Sequence, residues 1–363
     1  MKILFLTRRF YPEIGGVEKH VFEISKRLVE RGHEVKVVTE LPPKNQHNKK
    51  NDYQSIGQSD TYGINLRQPV KSIQTIHFEP GELEVLSLNF GKNDRFKKFR
   101  IWGTLFKNLN LIKEADIIHC HDVFFWYLPF RFLLPLKKVF TTFHGYETKF
   151  PPAQSAIFIR RLSNFLSAGS IAVGSYIEKW YGTKSNFVTY GGAEELKTKN
   201  SKLKSKNRNL KILFLGRIEE DNGVSVYIKL LRTLKEQHKV FDLVVCGDGS
   251  KRKEIEKYGL VLGFVSNAWE YVASSDLVLA SSYLSMLEAL VAGKSVFATY
   301  NNELKRDYLV DSPFRSFINI GQAEDFAVII QNLDNEKAKK GQIWAKKQTW
   351  DRVVNTYLRL WRI

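Results

Sequence analysis

Apolar residues along this chain alternate between short continuous runs and longer stretches with helical spacing. Residues 2–7 form an apolar run of strand length, residues 17–31 carry Val, Ile and Leu on one helical face, and residues 34–39 form a second run. A loop with Gly15 and Gly16 separates the first run from the helix. This order predicts a strand–helix–strand unit whose glycine loop adjoins the helix N-terminus, a common anion-binding position.

The same alternation restarts in the second half of the chain. Residues 211–216, KILFLG, nearly repeat residues 2–7, KILFLT, and a helical stretch follows at 224–237. Residues 275–299 then indicate strand, short loop, helix and strand, with Gly293 as the helix stop. Two such series predict two doubly wound, Rossmann-like α/β domains that face each other.

Changes in composition predict where these domains begin and end. We expect an N-terminal domain at 1–195, a linker at 196–210, a C-terminal domain at 211–343 and a final amphipathic helix at 344–363. The linker is predicted because residues 197–211 hold seven basic residues and no acidic one.

Length and charge fit a two-domain protein with anionic partners. The 363 residues are 43% hydrophobic, which is enough apolar surface for two cores. The formal net charge of +18 favours nucleotide phosphates, an anionic membrane surface or nucleic acid, without choosing between them. Cys120 and Cys246 fall in different halves, and the first apolar run is too short for a signal-peptide core. We therefore expect reduced thiols and a cytoplasmic protein.

A basic and aromatic segment at 91–113 has two interpretations. Phe96, Phe99, Trp102, Phe106 and Leu109 recur near helical spacing among lysines and arginines. A stripe that packs in the core is the simpler interpretation, and a face that lies on a membrane surface is the alternative. The longest apolar run, 123–136, is too short to span a bilayer. Any membrane contact is therefore expected to be peripheral, at the inner face of the membrane.

One carboxylate stands on the otherwise apolar helix predicted at 283–292. Glu288 is surrounded in sequence by Leu, Ala and Val, where an unpaired charge is costly. Two interpretations of Glu288 are equally good at this point. The carboxylate either forms a structural ion pair or tilts toward solvent, or it is directed at the hydroxyls of a ligand. The second interpretation places Glu288 near the carboxyl ends of a parallel sheet, where open α/β sheets bind ligands.

Two further features supply hydrogen-bond donors near the expected sheet edges. Gly15 and Gly16 let the backbone approach a ligand closely, or serve only a tight turn. Arg217 follows the first strand of the second half and suits a phosphate, or forms an ion pair with Glu219 or Glu220.

Histidines cluster at the ends of predicted strands in the first half. His144 follows the strand at 139–143 and is either a satisfied surface histidine or a group that holds a proton beside a ligand. His119 and His121 share one face of their strand, and Asp122 follows them. These residues lack a third ligand at a suitable spacing, so we expect no metal site.

Other function classes lack their motifs. The sequence has no G-x-S-x-G elbow, no Walker A lysine and no C-x-x-C pair, which disfavours a serine hydrolase, a P-loop NTPase and a zinc module. The glycine loop also departs from G-x-G-x-x-G, so a nicotinamide dinucleotide is not the favoured ligand. Nucleic-acid binding is supported by net charge alone, without a recognised module, and is disfavoured.

In combination, these segments resemble the retaining glycosyltransferases of the family-4 group, which have the two-domain GT-B fold. The resemblance spans nearly the whole chain. In the first half it rests on GGVEKHVFEISKRLVERGHEVKVVT, ADIIHCHD, TTFHG and VTYGG. In the second half it rests on KILFLGRIEEDNGV, LVVCGDG, LGFV, YVASSDLVLASS, LEALVAGKSV and TWDRVVNTYLRLW.

The resemblance implies a nucleotide-sugar donor in a cleft between the domains, held mostly by the second domain, without a required metal or other cofactor. It matches Glu288 to a carboxylate on the ribose hydroxyls, Arg217 to an arginine on the diphosphate and His144 to a histidine beside the transferred sugar. Gly15 and Gly16 match a glycine loop that meets the same diphosphate.

The resemblance extends to the rest of the donor site and to the acceptor side. Further donor contacts are expected from Gly216, Leu284, Gly263, Phe264 and Val265, the last three mainly through their backbone to the base. The acceptor side is expected to include His121, Asp122, Tyr190 and Gly191. The C-terminal helix is expected to cross back onto the first domain.

The implied activity is retaining hexosyl transfer from a donor of the UDP or GDP type to a glycan or lipid-linked glycan, as in polysaccharide biosynthesis. Two positions depart from the family pattern. Ala280 stands where the family usually has the first of two glutamates, and Asn222 precedes Gly223 where a lysine is usual. These departures support the alternative of a GT-B protein that has lost turnover and serves as a binding or partner subunit.

Overall fold

The structure is a computed structural model of the chain. It describes residues 1–11, 13, 15–41, 73–79, 81–145, 150–194, 209–265 and 267–363. Their contacts divide into two compact units, one containing the described residues of 1–41, 73–189 and 350–363 and the other those of 190–349. The linker predicted at 196–210 lies outside the described residues except for its last two positions.

The first unit is built on a sheet with the strand order β3-β4-β2-β1-β5-β6-β7-β8. The strands are β1 Lys2–Thr7, β2 Glu34–Glu40, β3 Ile73–Phe78, β4 Gly81–Leu88, β5 Ile117–His121, β6 Lys138–Phe143, β7 Gly169–Val173 and β8 Phe187–Thr189. All neighbours pair in parallel except β3 and β4, which are antiparallel. Helices cover both faces of such a sheet, which explains why its central strands are apolar runs without alternation.

The helices that precede and connect these strands are α1 Gly16–Glu30, α2 Lys97–Lys107, α3 Leu109–Glu114, α4 Phe124–Leu133, α5 Gln154–Leu166 and α6 Tyr176–Tyr181. Helix α1 turns an apolar face that includes Val21, Ile24 and Leu28 into the core, at the spacing expected for an amphipathic helix.

The second unit repeats the plan with the strand order β11-β10-β9-β12-β13-β14, and every neighbouring pair is parallel. Its strands are β9 Leu210–Leu215, β10 Phe241–Cys246, β11 Leu260–Gly263, β12 Leu277–Leu279, β13 Ser295–Ala298 and β14 Asn319–Ile320. Its helices are α7 Val224–Glu236, α8 Arg252–Ile255, α9 Ala268–Ser274, α10 Tyr283–Val291, α11 Glu303–Val310, α12 Ala323–Ile329 and α13 Asn335–Ala345. A 3-10 turn at Glu220–Asn222 joins β9 to α7.

The last helix, α14 Trp350–Trp361, belongs to the first unit and contacts α1 and β8. The prediction of one helix at 344–363 was wrong at its beginning, because residues 344 and 345 end α13 and residues 346–349 leave the helical conformation. In that interval Gln348 accepts a backbone hydrogen bond from Ala193 of the second unit. Both Trp350 and Trp361 are buried at 1% exposure, so α14 is anchored at each end.

The predicted strands and helices around the glycine loop and around Glu288 are confirmed within one or two residues. The first unit, however, ends at Thr189 and not at 195, because the Tyr190 ring packs in the second unit against Tyr283 and Phe314.

The basic and aromatic segment at 91–113 is partly buried in the core and partly exposed, so each of the two interpretations accounts for some of its residues. Ile101 and Leu105 of α2 are buried, as core packing requires, whereas Phe99 and Phe106 remain exposed by 54% and 44%. Among the described residues, none of the helices combines the length and the apolar character needed to cross a bilayer.

Candidate functional site

Each sheet has a point where the chain reverses the direction in which it adds strands. In the first unit this point lies between β1 and β5, and in the second it lies between β9 and β12. Loops that leave neighbouring strands there diverge and open a crevice at the carboxyl edge, where doubly wound folds bind ligands. Among the residues predicted to act on a ligand, Gly15, His121 and Asp122 lie in or next to these loops in the first unit, and Arg217 does so in the second.

In the first unit, His121, Asp122 and His144 meet at the ends of β5 and β6. The Nδ1 atom of His121 lies 2.9 Å from Nε2 of His144. The Asp122 carboxylate accepts the backbone N–H of His144, with oxygen distances of 3.1 and 3.2 Å. Asp122 has a φ of 59°, an uncommon conformation for a residue other than glycine. The sequence predicted these three residues, and the structure brings them together.

Two further histidines extend this contact into the core. The His20 ring meets the His144 ring edge to face, with centroids 4.7 Å apart, and the His119 ring lies 5.1 Å from that of His121. His20 and His119 are 1% and 0% exposed. Sequence reasoning placed His119 beside His121 on one strand face, but it missed His20, because nothing in the pattern of α1 distinguishes an inward histidine from an apolar one.

The C-terminal helix closes this cluster through two polar atoms. Tyr357 Oη lies 2.9 Å from His20 Nε2 and 2.9 Å from Thr142 Oγ1, and Trp361 Nε1 donates to His119 Nδ1 at 3.1 Å. His119 Nε2 in turn lies 2.7 Å from Thr142 Oγ1. Both nitrogens of His119 are therefore used in hydrogen bonds within the protein.

All four histidines are kept neutral by their surroundings. Burial lowers the pKa of His20 to about 3 and lowers the pKa of His119, His121 and His144 well below the ordinary value. Neighbouring histidines further lower the pKa of His119, His121 and His144, and the guanidinium of Arg160 also lowers that of His144. His144 is thus a neutral hydrogen-bonding group near pH 7, and it alone of the four keeps part of its surface exposed.

Arg160 of α5 lies beside His144 and was not predicted. It is only 7% exposed, donates to the backbone carbonyl of Gly145 at 2.6 Å and stacks over the Tyr181 ring at 4.0 Å. It also lines a cavity of about 230 Å³ with Asp122 and Phe143. The sequence pattern of an amphipathic helix does not distinguish a buried arginine such as Arg160 from an ordinary surface arginine.

The glycine loop of the first unit reaches the N-terminus of α1. Gly15 is the N-cap residue, with an extended backbone, and a Cβ there would collide with the carboxylate of Glu18. A Cβ on Gly16 would meet no described atom within 4 Å. The two glycines therefore differ, since a Cβ at Gly15 would displace the end of the Glu18 side chain, whereas one at Gly16 would meet open space among the described residues.

In the second unit, Arg217 follows β9 at the switch point. Its side chain is 52% exposed and pairs with Asp221 at 2.6 Å, not with Glu219 or Glu220 as the structural interpretation expected. The Asn222 amide donates to the backbone carbonyl of Arg217 at 3.0 Å and is 8% exposed. Asn222 therefore shapes the turn that carries Arg217, at the position where the resemblance led us to look for a lysine.

Glu288 lies on α10, which follows β12 on the other side of the switch point. It is partly exposed, as is Leu284 one turn earlier, while the neighbouring Met286, Leu287 and Ala289 are buried. The helix therefore directs Glu288 and Leu284 away from its core face. Ala280 at the end of β12 is 1% exposed, and a glutamate in its place would be buried.

The segment expected to meet a base follows β11. Gly263 ends that strand with a φ of 74°, a left-handed conformation that favours glycine, and Phe264 and Val265 after it are partly exposed. Gly216 at the end of β9 has a φ of 144°, and a Cβ on Gly247 would overlap its carbonyl oxygen. These strand ends are packed backbone to backbone.

Lys305 of α11 is a charged residue that the sequence did not single out. It is 5% exposed, and its ammonium lies 4.1 Å from the centre of the Tyr308 ring. Burial lowers the pKa of Lys305 to about 8, while Asp221 raises it and Arg217 lowers it. The loop before α11 is tied to the Arg217 turn by a 2.9 Å hydrogen bond from Asn301 to the Glu220 carbonyl. A buried ammonium thus lies within electrostatic reach of Arg217.

Tyr190 and Gly191 were expected on the acceptor side with His121 and Asp122. The structure places Tyr190 in the second unit, where its hydroxyl donates to the carbonyl of Asp311 at 3.3 Å. Its ring lies 5.2 Å from that of Tyr283, and Gly191 follows with a φ of 87°. The four residues therefore belong to two different units of the chain.

Family models match both halves of the chain. Residues 14–185 match Glycosyltransferase Family 4, and residues 196–350 match Glycosyl transferases group 1. An uncharacterized glycosyltransferase of Methanocaldococcus jannaschii, MJ1069, is 23% identical over 98% of this chain and 99% of its own length. The gpi3 subunit of phosphatidylinositol N-acetylglucosaminyltransferase from Schizosaccharomyces pombe is 20% identical over 68% of this chain and 51% of its own length.

Solved structures share the fold at low identity. Sucrose-phosphate synthase from Thermosynechococcus elongatus superposes with a TM-score of 0.73 at 15% identity and covers 99% of this chain and 98% of its own. Anabaena HepE in complex with UDP and glucose gives 0.67 at 16% identity with the same coverage. The prediction of two Rossmann-like domains of the GT-B class is confirmed. By both family models, which together span most of its length, the chain belongs to the group 1 glycosyltransferases of the family-4 type.

Proposed function

We propose that this protein transfers a hexose from a nucleoside diphosphate sugar to a glycan or lipid-linked glycan, with retention of anomeric configuration. The observation that carries the proposal is the switch point of the second sheet, where Arg217 and Lys305 supply positive charge and Glu288 supplies a carboxylate from a separate helix. The family supports the transferase class, and the UDP in the HepE complex supports the donor class.

In this proposal the two cations act on the donor diphosphate. The sugar C1–oxygen bond breaks during transfer, and negative charge grows on the diphosphate oxygen that leaves. Arg217 can present two N–H groups to phosphate oxygens once it exchanges part of its contact with Asp221, while Lys305 acts as a point charge. Protein cations take the place that a metal ion holds in other transferases, so we propose that no metal is required.

The remaining roles follow from position. Glu288 accepts hydrogen bonds from the ribose hydroxyls, and the backbone of residues 263–265 meets the base. His144, a neutral group, hydrogen-bonds the transferred sugar. For retention, the acceptor hydroxyl attacks C1 from the face that the diphosphate leaves, the new C1–oxygen bond forms there, and the acceptor proton passes to the departing diphosphate oxygen.

The first experiment is a thermal-shift titration of the full chain against UDP, GDP, ADP and CDP. A nucleotide at about 100 times its dissociation constant adds about 2.7 kcal/mol of stability. We expect stabilisation by one nucleotide, of the UDP or GDP type, and its loss in Glu288→Ala. A matched control, Glu303→Ala, removes a carboxylate from the neighbouring helix α11 and should leave the shift unchanged. Transfer from the matching nucleotide sugar, with the product anomer read by NMR, then tests retention.

A second candidate is a subunit that binds a partner without turnover. Ala280 and Asn222 favour it, because they replace a glutamate and a lysine that the resemblance led us to expect. In the structure Asn222 supports the Arg217 turn, and Lys305 brings another cation near it, which weakens this candidate. Absence of a thermal shift with every nucleotide would favour the partner subunit instead.

We also propose that the first unit binds an anionic membrane surface peripherally, on the cytoplasmic side. Helices α2, α4 and α5 are neighbours, and each exposes aromatic side chains. Exposure is 54% for Phe99, 69% for Phe132 and 83% for Phe165. Helices α4 and α5 hold no acidic residue, while α2 is rich in lysine and arginine. Aromatic side chains among cations are typical of interfacial helices.

Vesicle sedimentation tests this surface. The protein should sediment with vesicles that contain phosphatidylglycerol and remain in solution with phosphatidylcholine alone, and added salt should weaken the binding. Substitution of Phe99 and Phe165 by serine should reduce sedimentation. Leu260→Ser, which removes a 60% exposed leucine from the second unit, is the matched control. Equal sedimentation with both kinds of vesicle would contradict the electrostatic part of the proposal.

The cytoplasmic location has separate support from the cysteines. Cys120 and Cys246 are both buried free thiols, and burial raises the pKa of each, which keeps them protonated and unreactive.

A further inference from the structure

The hydrogen bonds between α14 and the histidine cluster begin at a group that can only donate. The contacts run Trp361, His119, Thr142, Tyr357, His20, and the first member, the indole of Trp361, can donate but cannot accept. The indole therefore fixes the proton positions of His119 as far as its bond to Thr142.

The assignment proceeds from Trp361 outward. His119 Nδ1 accepts the indole N–H, so neutral His119 carries its proton on Nε2 and donates it to Thr142. The Thr142 hydroxyl oxygen can accept two hydrogen bonds, so the direction of its contact with Tyr357, and of the contact between Tyr357 and His20, is not fixed by this sequence of bonds. The partner of one ring nitrogen fixes the state of the other.

The contact between His121 and His144 can be assigned in the same way. One proton lies between His121 Nδ1 and His144 Nε2, and His121 Nε2 is buried without a hydrogen-bond partner among the described residues. If His144 donated, His121 would carry a buried N–H with no acceptor. If His121 donates, only a lone pair is left unmatched, and buried N–H donors without partners are the rarer of the two cases.

We infer that His121 is a positioning residue that donates from Nδ1 to His144 and so fixes His144 as the Nδ1–H tautomer. In that tautomer His144 presents one N–H on the side away from His121. No described residue bonds His144 Nδ1. The hydrogen bond that the His144 backbone N–H donates to Asp122 and the edge contact with His20 hold the ring in place.

The ligand of this N–H is a hydroxyl or oxyanion of the donor sugar, a step that depends on the proposed function. The tautomer itself does not depend on it. His144 is thereby a hydrogen-bond donor and not a general base, because its only basic nitrogen is already used by His121. The low pKa of both rings agrees, since neither offers a proton exchange near neutral pH.

Nitrogen NMR of the full chain, labelled with ¹⁵N in the histidine imidazoles, reads the tautomers directly. The ring of His144, identified by its loss in His144→Gln, should show a protonated Nδ1 and a bare Nε2 near pH 7. His119 should show the opposite pattern. A protonated Nε2 on His144 in the parent protein would overturn the inference, whether or not a sugar donor has been found.

Two variants separate positioning from packing. His121→Asn keeps an N–H donor near the place of Nδ1, whereas His121→Leu keeps bulk and removes the donor. We expect kcat to fall roughly tenfold in the leucine variant and to stay within a few-fold in the asparagine variant, with the nucleotide thermal shift equal in both. Equal kcat in the two variants would mean that His121 acts only by packing.

Tyr357→Phe tests the other part of the network. It removes the hydroxyl that contacts His20 Nε2 and Thr142 without changing the ring. The NMR pattern of His144 should stay Nδ1–H, because His121 fixes it, and a change of His144 to Nε2–H would overturn the inference. Should the leucine variant not fold, the parent spectrum and the asparagine variant still decide the inference.

Discussion

The carboxyl edges of the two sheets present opposite chemistry on the same architecture. At the edge of the first sheet, four neutral histidines are linked to one another and to α14 by hydrogen bonds and ring contacts. At the edge of the second, a half-exposed arginine, a buried lysine and an aspartate remain charged. A neutral edge suits sugar hydroxyls, and a charged one suits phosphates. The proposed function accordingly assigns the transferred sugar to the first edge and the diphosphate to the second.

The difference comes from what fills the space behind each edge. Behind the first, α14 inserts Tyr357 and Trp361, whose rings desolvate the histidines while their polar atoms hydrogen-bond them. Behind the second, the stacked pair Tyr283 and Tyr308, with ring centroids 3.8 Å apart, offers Lys305 a ring face. An aromatic face favours a cation, whereas a hydrogen-bonded aromatic cage favours a neutral imidazole.

The largest expected effect is on stability in acid. The pKa of each of the four histidines is lower in the folded than in the unfolded chain, so the unfolded chain binds more protons below about pH 6.5. The free energy of unfolding should fall as the pH falls from 6.5, by up to about 1.4 kcal/mol per pH unit for each histidine. Urea unfolding at pH 7, 6 and 5 measures this slope.

The matched variant for this test is His20→Gln, which should reduce the slope by up to about 1.4 kcal/mol per pH unit, the contribution of one proton. A free energy of unfolding that does not change between pH 7 and 5 would show that the histidines are not neutral in the folded protein.

At the second edge, the corresponding effect is expected in base. The pKa of Lys305 is lowered to about 8, so between pH 8 and 10.5 the unfolded chain binds one more proton than the folded chain. The free energy of unfolding should therefore rise with pH in this range.

The next effect is on turnover. Arg217→Ala should lower kcat about 10²- to 10³-fold, the usual result of removing one donor to a developing oxyanion. The melting temperature should change little, because the side chain is half exposed and its pair with Asp221 lies at the surface. Arg217→Lys keeps the charge but loses the bidentate geometry of the guanidinium. Its kcat should lie between those of the parent and Arg217→Ala. Steady-state kinetics with the nucleotide sugar found by titration gives the comparison, and parent-like turnover in Arg217→Ala would remove Arg217 from the site.

Lys305→Met should change affinity and stability in opposite directions. Loss of the ammonium should weaken UDP binding about tenfold to a hundredfold, as expected for a charged hydrogen bond, and leave uridine binding unchanged. A buried charge replaced by an apolar side chain of similar length should also raise the melting temperature. Calorimetric titration with UDP and uridine separates the two contributions. An equal loss for both ligands would mean that Lys305 shapes the base or ribose site and does not bind phosphate.

Most strands and helices could be predicted because each half shows the buried-strand and amphipathic-helix patterns clearly. The strand pair β3–β4 was missed, since it is an antiparallel addition at an edge and interrupts the expected alternation. The beginning of α14 was also missed, because the apolar periodicity continues through Trp344 although the chain changes units between α13 and α14.

The site was predictable where a residue adjoins a recognisable turn and not where it arrives from a distant element. Arg217 and His144 follow strands and could be singled out. His20, Tyr357 and Lys305 lie on amphipathic helices, and the sequence gives them the same pattern as ordinary core or surface positions. Their role depends on which helix packs against which sheet edge. Local sequence patterns do not reveal this tertiary packing.

The smallest expected effect separates the two interpretations of the glycine loop. Gly16 is the first residue of α1, and a Cβ there meets no described atom within 4 Å. Gly16→Ala should therefore raise the free energy of unfolding by about 0.4–1 kcal/mol, because it restricts the unfolded chain. If the backbone must approach a diphosphate, the same methyl group should raise KM for the donor and weaken the UDP thermal shift.

Gly15→Ala is the contrasting variant, since its Cβ would displace the Glu18 carboxylate and should destabilise the protein in the absence of any ligand. Stabilisation of Gly16→Ala with unchanged KM would mean that the loop serves the turn alone, and that the donor phosphates depend on the charged edge of the second sheet.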